Sequence, residues 1–453
     1  MRAPWLIVAT VCVGAFMGQL DASIVTVAIP AMRSDLHASI DEVEWVALVY
    51  LLVLVGTIAA VGRVSDMFGR KLLYIYGFVL FTAASLACAV ASNIEWLLLA
   101  RVFQAIGAAM LQANSVALIR TNVPNTSLGR AIGLQGAAQA IGLALGPSVG
   151  GLLVGLGGWR WVFFVNIPAG ILGVGLAWFL LPRTKVKARR TRLDWWGLIT
   201  LLPGIGLLLW TLSAASRGQA LNPSTGIALV AGVLLLAAFV WIEHHVANPL
   251  VDLDLFRSPA FSRGILTGLL CYLVLFGVLF VFPLYLVEGL ALTAAAAGLV
   301  LTVLPAALGA IAPLAGRVTD RVGPALPTTV GMALTAAALA IAAFAPLPLW
   351  ALGVVLLIIG IGLGLFTPAN NATVAAAGPA HHAGMVSAVL NMTRGFGTSL
   401  GVAVAAAAYT LGSTASHSDS QSGFHIAVTV LAIIAAVAAL VCLTQLPRRT
   451  RRA

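Results

Sequence analysis

Runs of about twenty consecutive apolar residues recur along this chain from end to end, and nearly every charge sits in the short stretches between them. A segment of that length and composition is long enough, as a helix, to cross the hydrocarbon core of a bilayer. Backbone polar groups in lipid must be satisfied internally, so only helices and closed barrels span membranes. Runs this long exclude the short alternating strands of a barrel. Fourteen spans are expected, near 5–30, 43–62, 72–92, 96–119, 130–155, 161–181, 195–213, 226–242, 261–286, 293–315, 325–344, 347–369, 383–410 and 424–446.

Composition removes the main competitor. Of 453 residues, 61% are hydrophobic and 9% charged, against about 25% charged in an ordinary soluble domain. Such a chain has too few polar side chains to cover a water-facing surface. The net charge of +11 could suggest nucleic acid, but the cations lie in short loops between apolar runs. No nucleic-acid partner is expected. Cys12, Cys88, Cys271 and Cys442 all fall inside apolar runs without a CxxC, so they read as buried thiols acting as small hydrophobes. Arg2 precedes an apolar stretch without a clear small-residue cleavage site, so the first run is expected to stay as an uncleaved span.

Lys and Arg concentrate on the cytoplasmic side of a membrane protein. Even-numbered loops and both termini hold 20 of them, odd-numbered loops only Arg33, Arg160 and Arg217, and Arg101 and Arg394 fall within spans. That bias places both termini in the cytoplasm and requires an even number of spans. The Ala, Gly and Val richness, with 22 Arg to 3 Lys, suggests a GC-rich bacterial genome and hence a multi-pass protein of a bacterial inner membrane.

GRVSDMFGRK at Gly62–Lys71 recurs as GRVTDRVG at Gly316–Gly323, displaced by 254 residues. A register displaced by 255 pairs Gly107 with Gly362, Gly129 with Gly384, Gly142 with Gly397 and Gly146 with Gly401. The first six and last six spans are therefore expected to be two parallel copies, with spans seven and eight inserted between them at the periphery. The expected organisation is a six-helix bundle over 1–181, a basic linker plus two inserted helices over 182–260, a second six-helix bundle over 261–446, and a basic tail over 447–453. Two such halves are the plan of rocker-switch secondary transporters, which hold substrate near the midplane.

Five stretches make the pattern specific: LDASIVTVAIP at Leu20–Pro30, GRVSDMFGRK at Gly62–Lys71, RVFQAIGAA at Arg101–Ala109, LGPSVGG at Leu145–Gly151 and WRWVFFVNIPAG at Trp159–Gly170. With them the chain resembles the major facilitator superfamily, and within it the fourteen-span drug:proton antiporters. The resemblance implies an all-α polytopic fold, antiport by alternating access, no cofactor besides the proton gradient, and no enzymatic activity. It assigns the arginine of RVFQAIG, Arg101, to proton coupling. It makes LGPSVGG a helix that faces and seals the cavity, and GRVSDMFGRK a cytoplasmic latch that favours the outward-open state.

The residues carry physical readings of their own. Asp21 sits deep in the first span, where a carboxylate costs about 2.5–3.5 kcal/mol on insertion scales. It should face a cavity or a partner, and burial and a nearby cation pull its protonation in opposite directions. Proton exchange is the expected role, and a structural carboxylate capping a neighbouring helix is the alternative. Arg101 keeps its charge almost anywhere; the alternative is an arginine reaching back to the interface. Gly142, Gly146 and Gly150 stand four apart on one face with Gly151 beside them, allowing close helix approach, and Pro147 permits a kink. Static packing would use them equally well.

In the loop expected between spans two and three, Gly62 and Gly69 allow tight turns. Asp66 can accept from a helix N-terminus, while Arg63, Arg70 and Lys71 pair with acids or lipid phosphates. Arg317 and Asp320 form the second copy. Gln104, Gln112, Asn114, Gln135, Gln139, Asn391 and Arg394 are candidate cavity groups, and Glu288 a candidate for the outer mouth; helix-to-helix hydrogen bonding is the alternative for the amides. No GxxxxGK[ST] or GxSxG occurs, and His244–His245 and His381–His382 are adjacent pairs that do not share a helix face. No metal site is expected. The expected protein is a monomeric proton-coupled exporter of small amphipathic compounds. Export of a lipid, siderophore or natural product is the second reading, and a transporter-like sensor a third.

Overall fold

The computed structural model describes residues 4–38, 40–183, 194–216, 222–246, 249–292, 294–344, 347–378, 383–415 and 420–444. The basic stretch 184–193 and the tail from 445 lie outside the described residues, as do the side chains of Pro147 and Glu288. The described residues form α1 (Pro4–Asp35), α2 (Ile40–Phe68), α3 (Arg70–Ala89), α4 (Ile94–Asn122), α5 (Leu128–Gly157), α6 (Trp161–Phe164), α7 (Asn166–Leu180), α8 (Trp195–Ser216) and α9 (Pro223–His245). After them come α10 (Pro259–Leu284), continued by a π turn at Tyr285–Gly289, then α11 (Ala294–Val322), α12 (Ala325–Phe344), α13 (Leu349–Ala377), α14 (Ala383–Ala415) and α15 (Ser420–Leu443).

Each expected span coincides with helix. Among the described residues, twelve helices are long and apolar enough to cross a bilayer. Asn125–Gly146 and Val149–Gly157 meet at 44° and make a thirteenth if taken as one span. The described apolar stretch of α8, Trp195–Leu208, is shorter than a span.

Local chemistry sets several boundaries. Asn93 accepts the Trp96 N–H at 2.9 Å and caps α4, with Glu95 in its first turn. Pro223 and Pro259 open α9 and α10, where a missing N–H costs nothing. The GRVSDMFGRK segment corrects one expectation. It is not a loop: Gly62 lies inside α2, and the break before α3 is Gly69 alone, at φ 114°. A side chain is strained at that φ, so one glycine suffices to turn the chain.

Packing divides the chain into two compact units. The first holds Met1–Pro124, Leu134–Leu255 and Gly378–Gly395; the second holds Asn125–Gly133, Phe256–Ala377 and Phe396–Ala453. In the first, α4 packs on α1, α2 and α3, α7 lies on α1 and α3, and α8 joins α9 to α2. The inserted helices thus belong with the first unit. Only 22% of α9's apolar stretch is buried, which marks it as the outermost element there. In the second, α13 packs on α10, α11 and α12, with α15 against α10 and α12.

The repeat is visible in where helices touch. In the first unit a methyl group on Gly107 would lie 2.6 Å from Phe81 N, so α4 meets α3 backbone to backbone. In the second, a methyl group on Gly362 would lie 2.5 Å from Gly331 O of α12. Gly142 takes α1 at Phe16 O, 2.6 Å from such a methyl, and Gly397 takes α10 at Leu269 O, 2.7 Å away. Small residues at these crossings let dispersion act over whole helix faces where no hydrophobic force drives association.

Candidate functional site

A buried ion pair between distant helices lies within the first unit. Asp21 of α1 is 0% exposed and Arg101 of α4 1%. Arg101 Nη1 donates to Asp21 Oδ2 at 2.7 Å. Gln104, one turn further along α4, donates through Nε2 to Asp21 Oδ1 at 2.9 Å. Asn166, the first residue of α7, donates through Nδ2 to the same oxygen at 2.8 Å. Three donors on two helices therefore converge on one carboxylate. Both carboxylate oxygens are thus hydrogen-bonded from neighbouring helices.

Arg101 is held as tightly as its partner. Its Nε donates to Val46 O of α2 at 3.0 Å, and Nη1 also reaches Gln104 Oε1 at 2.6 Å. Its guanidinium carbon lies 4.1 Å from the centroid of the Tyr50 ring and 5.7 Å from that of Phe163, within cation–π reach. Gln104 Nε2 further donates to Ser85 Oγ at 2.8 Å. Arg101 thus does not reach back to the membrane interface. A side chain anchored by a carboxylate, a carbonyl and an aromatic face has no freedom to snorkel.

The second repeat has no such pair. The Gly142–Phe16 and Gly397–Leu269 crossings align Asp21 with Val274, and the Gly107–Gly362 match aligns Arg101 with Leu356 and Gln104 with Ile359. Val274, Leu356 and Ile359 are all fully buried. The same interior is therefore filled by aliphatic side chains in one copy and by a charge network in the other.

Two other carboxylates cap helices. Asp66 of α2 is 1% exposed, pairs with Arg70 at 2.8 Å, and accepts the Met385 N–H in the first turn of α14 at 3.1 Å. In the second unit, Asp320 of α11 accepts the Gly129 and Arg130 N–H groups in the first turn of α5 at 2.7 and 3.0 Å. Helix N-termini present unpaired N–H groups and positive partial charge, so an acid there is stabilising. A methyl group on Gly316 would lie 2.6 Å from the Gly129 carbonyl carbon, and this close crossing brings Asp320 to its site. Arg317 is exposed, whereas Arg63 is buried. Lys71 donates through Nζ to Trp178 O and Leu181 O, both at 2.7 Å, at the C-terminal end of α7.

The remaining candidates scatter. Asn114 donates to Ser65 Oγ and Met110 O, and Gln135 to Ser115 Oγ at 3.0 Å. Asn391 reaches the backbone oxygen of Gln112 at 3.1 Å, so Gln112 contributes its main chain there. Gln139 is buried and Arg394 half-buried. Gly146 faces Ser23, whose hydroxyl donates to Leu143 O at 2.9 Å, and Gly150 is buried, while Gly151 is exposed with open space where a methyl group would lie. Pro147 and Glu288 have no described side chain. Among the described residues no group of three potential metal ligands occurs. Sequence reasoning singled out neither Asn166 nor Tyr50. The available signal was a lone asparagine inside the apolar WRWVFFVNIPAG stretch.

Comparison with known proteins places this arrangement. The chain matches the family model described as Major Facilitator Superfamily over residues 11–402 and 264–453. It is 32% identical to the riboflavin transporter RibZ of Clostridioides difficile, over 89% of this chain and 88% of that protein. It is 32% identical to the multidrug resistance protein Stp of Mycobacterium tuberculosis, over 86% and 73%. It is 31% identical to the tetracenomycin C resistance and export protein of Streptomyces glaucescens, over 88% and 75%. In fold it is similar to the human organic anion transporter MFSD10, with a TM-score of 0.72 at 16% identity over 98% of this chain and all of that one.

Proposed function

The chain belongs to the major facilitator superfamily, and from that premise we propose that it is a proton-coupled exporter of small amphipathic compounds. It is a multi-pass membrane transporter. The finer reading is fourteen spans, the thirteen plus α8, in a bacterial inner membrane with both termini cytoplasmic and the protein acting as a monomer.

The Asp21–Arg101 pair carries the reading. With the carboxylate charged, Arg101, Gln104 and Asn166 are held on it. A proton on Asp21 removes the negative charge and releases the guanidinium from its main partner. The proton therefore favours a different arrangement of α1, α4 and α7. Cargo that binds one arrangement better than the other is coupled to the proton through that shared equilibrium. Relatives named for multidrug resistance and for tetracenomycin C export support outward movement of cargo. The second reading is movement of an endogenous metabolite, favoured by the relative named as a riboflavin transporter.

Proteoliposomes with an imposed proton gradient, tested with cationic dyes, neutral drugs, lipids and riboflavin, distinguish the readings. Gradient-driven dye movement that vanishes in Asp21→Asn is the expected result. Coupling that survives Asp21→Asn removes the role given to Asp21, and movement of riboflavin alone selects the second reading.

A further inference from the structure

The inserted helices carry a buried acid pair that the transport reading does not use. Asp194 precedes α8 and Glu243 lies in the last turn of α9; they are 6% and 3% exposed. Asp194 Oδ1 accepts the Gly197 N–H at 2.9 Å, and Glu243 Oε2 accepts the Val251 N–H at 3.0 Å. The other oxygen of each, Asp194 Oδ2 and Glu243 Oε1, is buried without a hydrogen-bond partner. Both lie beside Gly197: a methyl group there would press on Asp194 Oδ2 and lie 2.9 Å from Glu243 Oε1. Glycine at 197 leaves room for both oxygens beside its Cα.

Two charged carboxylates cannot share such a place without a counter-charge or a proton. Among the described residues the neighbouring groups are these. Arg63 of α2 is buried and acts electrostatically on Glu243, and the N–H groups of Leu250 and Val251 face it from the following segment. His244 and His245 are exposed. Among the described residues, one positive charge faces two negative ones, an excess that a single proton would cancel.

The helix ends say where that proton belongs. Asp194 sits at the N-terminus of α8, where free N–H groups and the positive end of the dipole favour an anion. Glu243 sits at the C-terminus of α9, where the negative end disfavours one. We propose that Asp194 and Glu243 form a second proton-binding site, in which Glu243 carries the proton on Oε1 and donates it to Asp194 Oδ2. This joins α8 to α9 beside Arg63, in a place separate from Asp21, and does not depend on what Asp21 does.

The full-length protein in nanodiscs tests this by thermal unfolding from about pH 5 to about pH 9, with infrared pH-difference spectra alongside. In the unfolded chain a glutamate ionises near 4.3. A proton retained in the fold therefore contributes stability that declines as pH rises, until Glu243 itself ionises. The wild-type Tm should fall with pH and then level off, and the carbonyl band of a protonated carboxyl should disappear where the Tm levels off. Glu243→Gln should abolish both changes, Asp194→Asn should move both to lower pH, and Asp21→Asn should leave both in place. An unchanged pH profile and band in Glu243→Gln overturn the proposal. So does a rise in wild-type Tm on adding Na⁺, Mg²⁺ or Ca²⁺ that Glu243→Gln loses, since that would mark a cation site. If Glu243→Gln does not fold, a wild-type band that Asp194→Asn fails to shift overturns it equally.

Discussion

Arg101 and Asp21, 80 positions apart in the chain, meet at 2.7 Å with both side chains out of reach of solvent. Desolvating two charges is costly, and breaking such a pair by removing one partner costs about 3–5 kcal/mol because the other is left buried and uncompensated. Replacing both with apolar residues is often neutral. The second repeat supplies the template, Val274 and Leu356. Arg101→Leu alone should lower the Tm sharply, and Asp21→Val with Arg101→Leu should recover most of the loss while abolishing gradient-driven transport. Thermal unfolding in detergent with a parallel proteoliposome assay checks both halves.

Tyr50 separates a ring from its hydroxyl. The ring lies under the Arg101 guanidinium, while the hydroxyl is buried with no hydrogen-bond partner. Deleting an unsatisfied buried hydroxyl should be neutral or stabilising, so Tyr50→Phe should keep or raise the Tm. Tyr50→Leu removes the cation–π contact, worth about 2 kcal/mol when desolvated, and should lower it. A fall in Tm for the Phe variant would mean that the hydroxyl does matter.

Asp320 holds two N–H groups of α5. Asp320→Ala should cost about 1–2 kcal/mol, as for other lost caps, and speed amide exchange at Gly129 and Arg130. Asp320→Asn keeps an acceptor and should cost less. Equal exchange in all three proteins would show that the cap contributes nothing.

Asp35, at the end of α1, accepts from Trp159 Nε1 at 2.9 Å and pairs with Arg160. Those hydrogen bonds, Trp159 first and Arg160 second, hold its carboxyl below the usual range. The folded value is the lower one, so the stabilisation is present above the unfolded value and declines as pH falls through the folded one. The group is half-exposed, so the effect is small and screened by salt. Trp159→Phe should flatten the acid limb of the Tm profile below about pH 4, and an unaltered acid limb would contradict this.

Helices could be read from the sequence because their hydrogen bonds are local, closing four residues back. Run length and polarity decided that helices would form, and the spacing of GRVxDxxG and of Gly107 and Gly362 revealed the two copies. The boundaries inside motifs were less legible. GRVSDMFGRK was expected to be a loop, yet α2 runs through Gly62 to Phe68, since a helix buried by its neighbours tolerates an interior glycine.

The sequence by itself determined that this chain is a helical membrane protein with a duplicated plan and an acid and an arginine where lipid would reject them. Only the tertiary structure decided that Arg101 turns to Asp21 rather than to the interface, that Asn166 completes the shell, and that Asp194 and Glu243 both come to lie beside Gly197. The reason is geometric. Which side chains meet depends on the rotation and crossing of helices far apart in the chain, and those are set by the packing of entire helix faces.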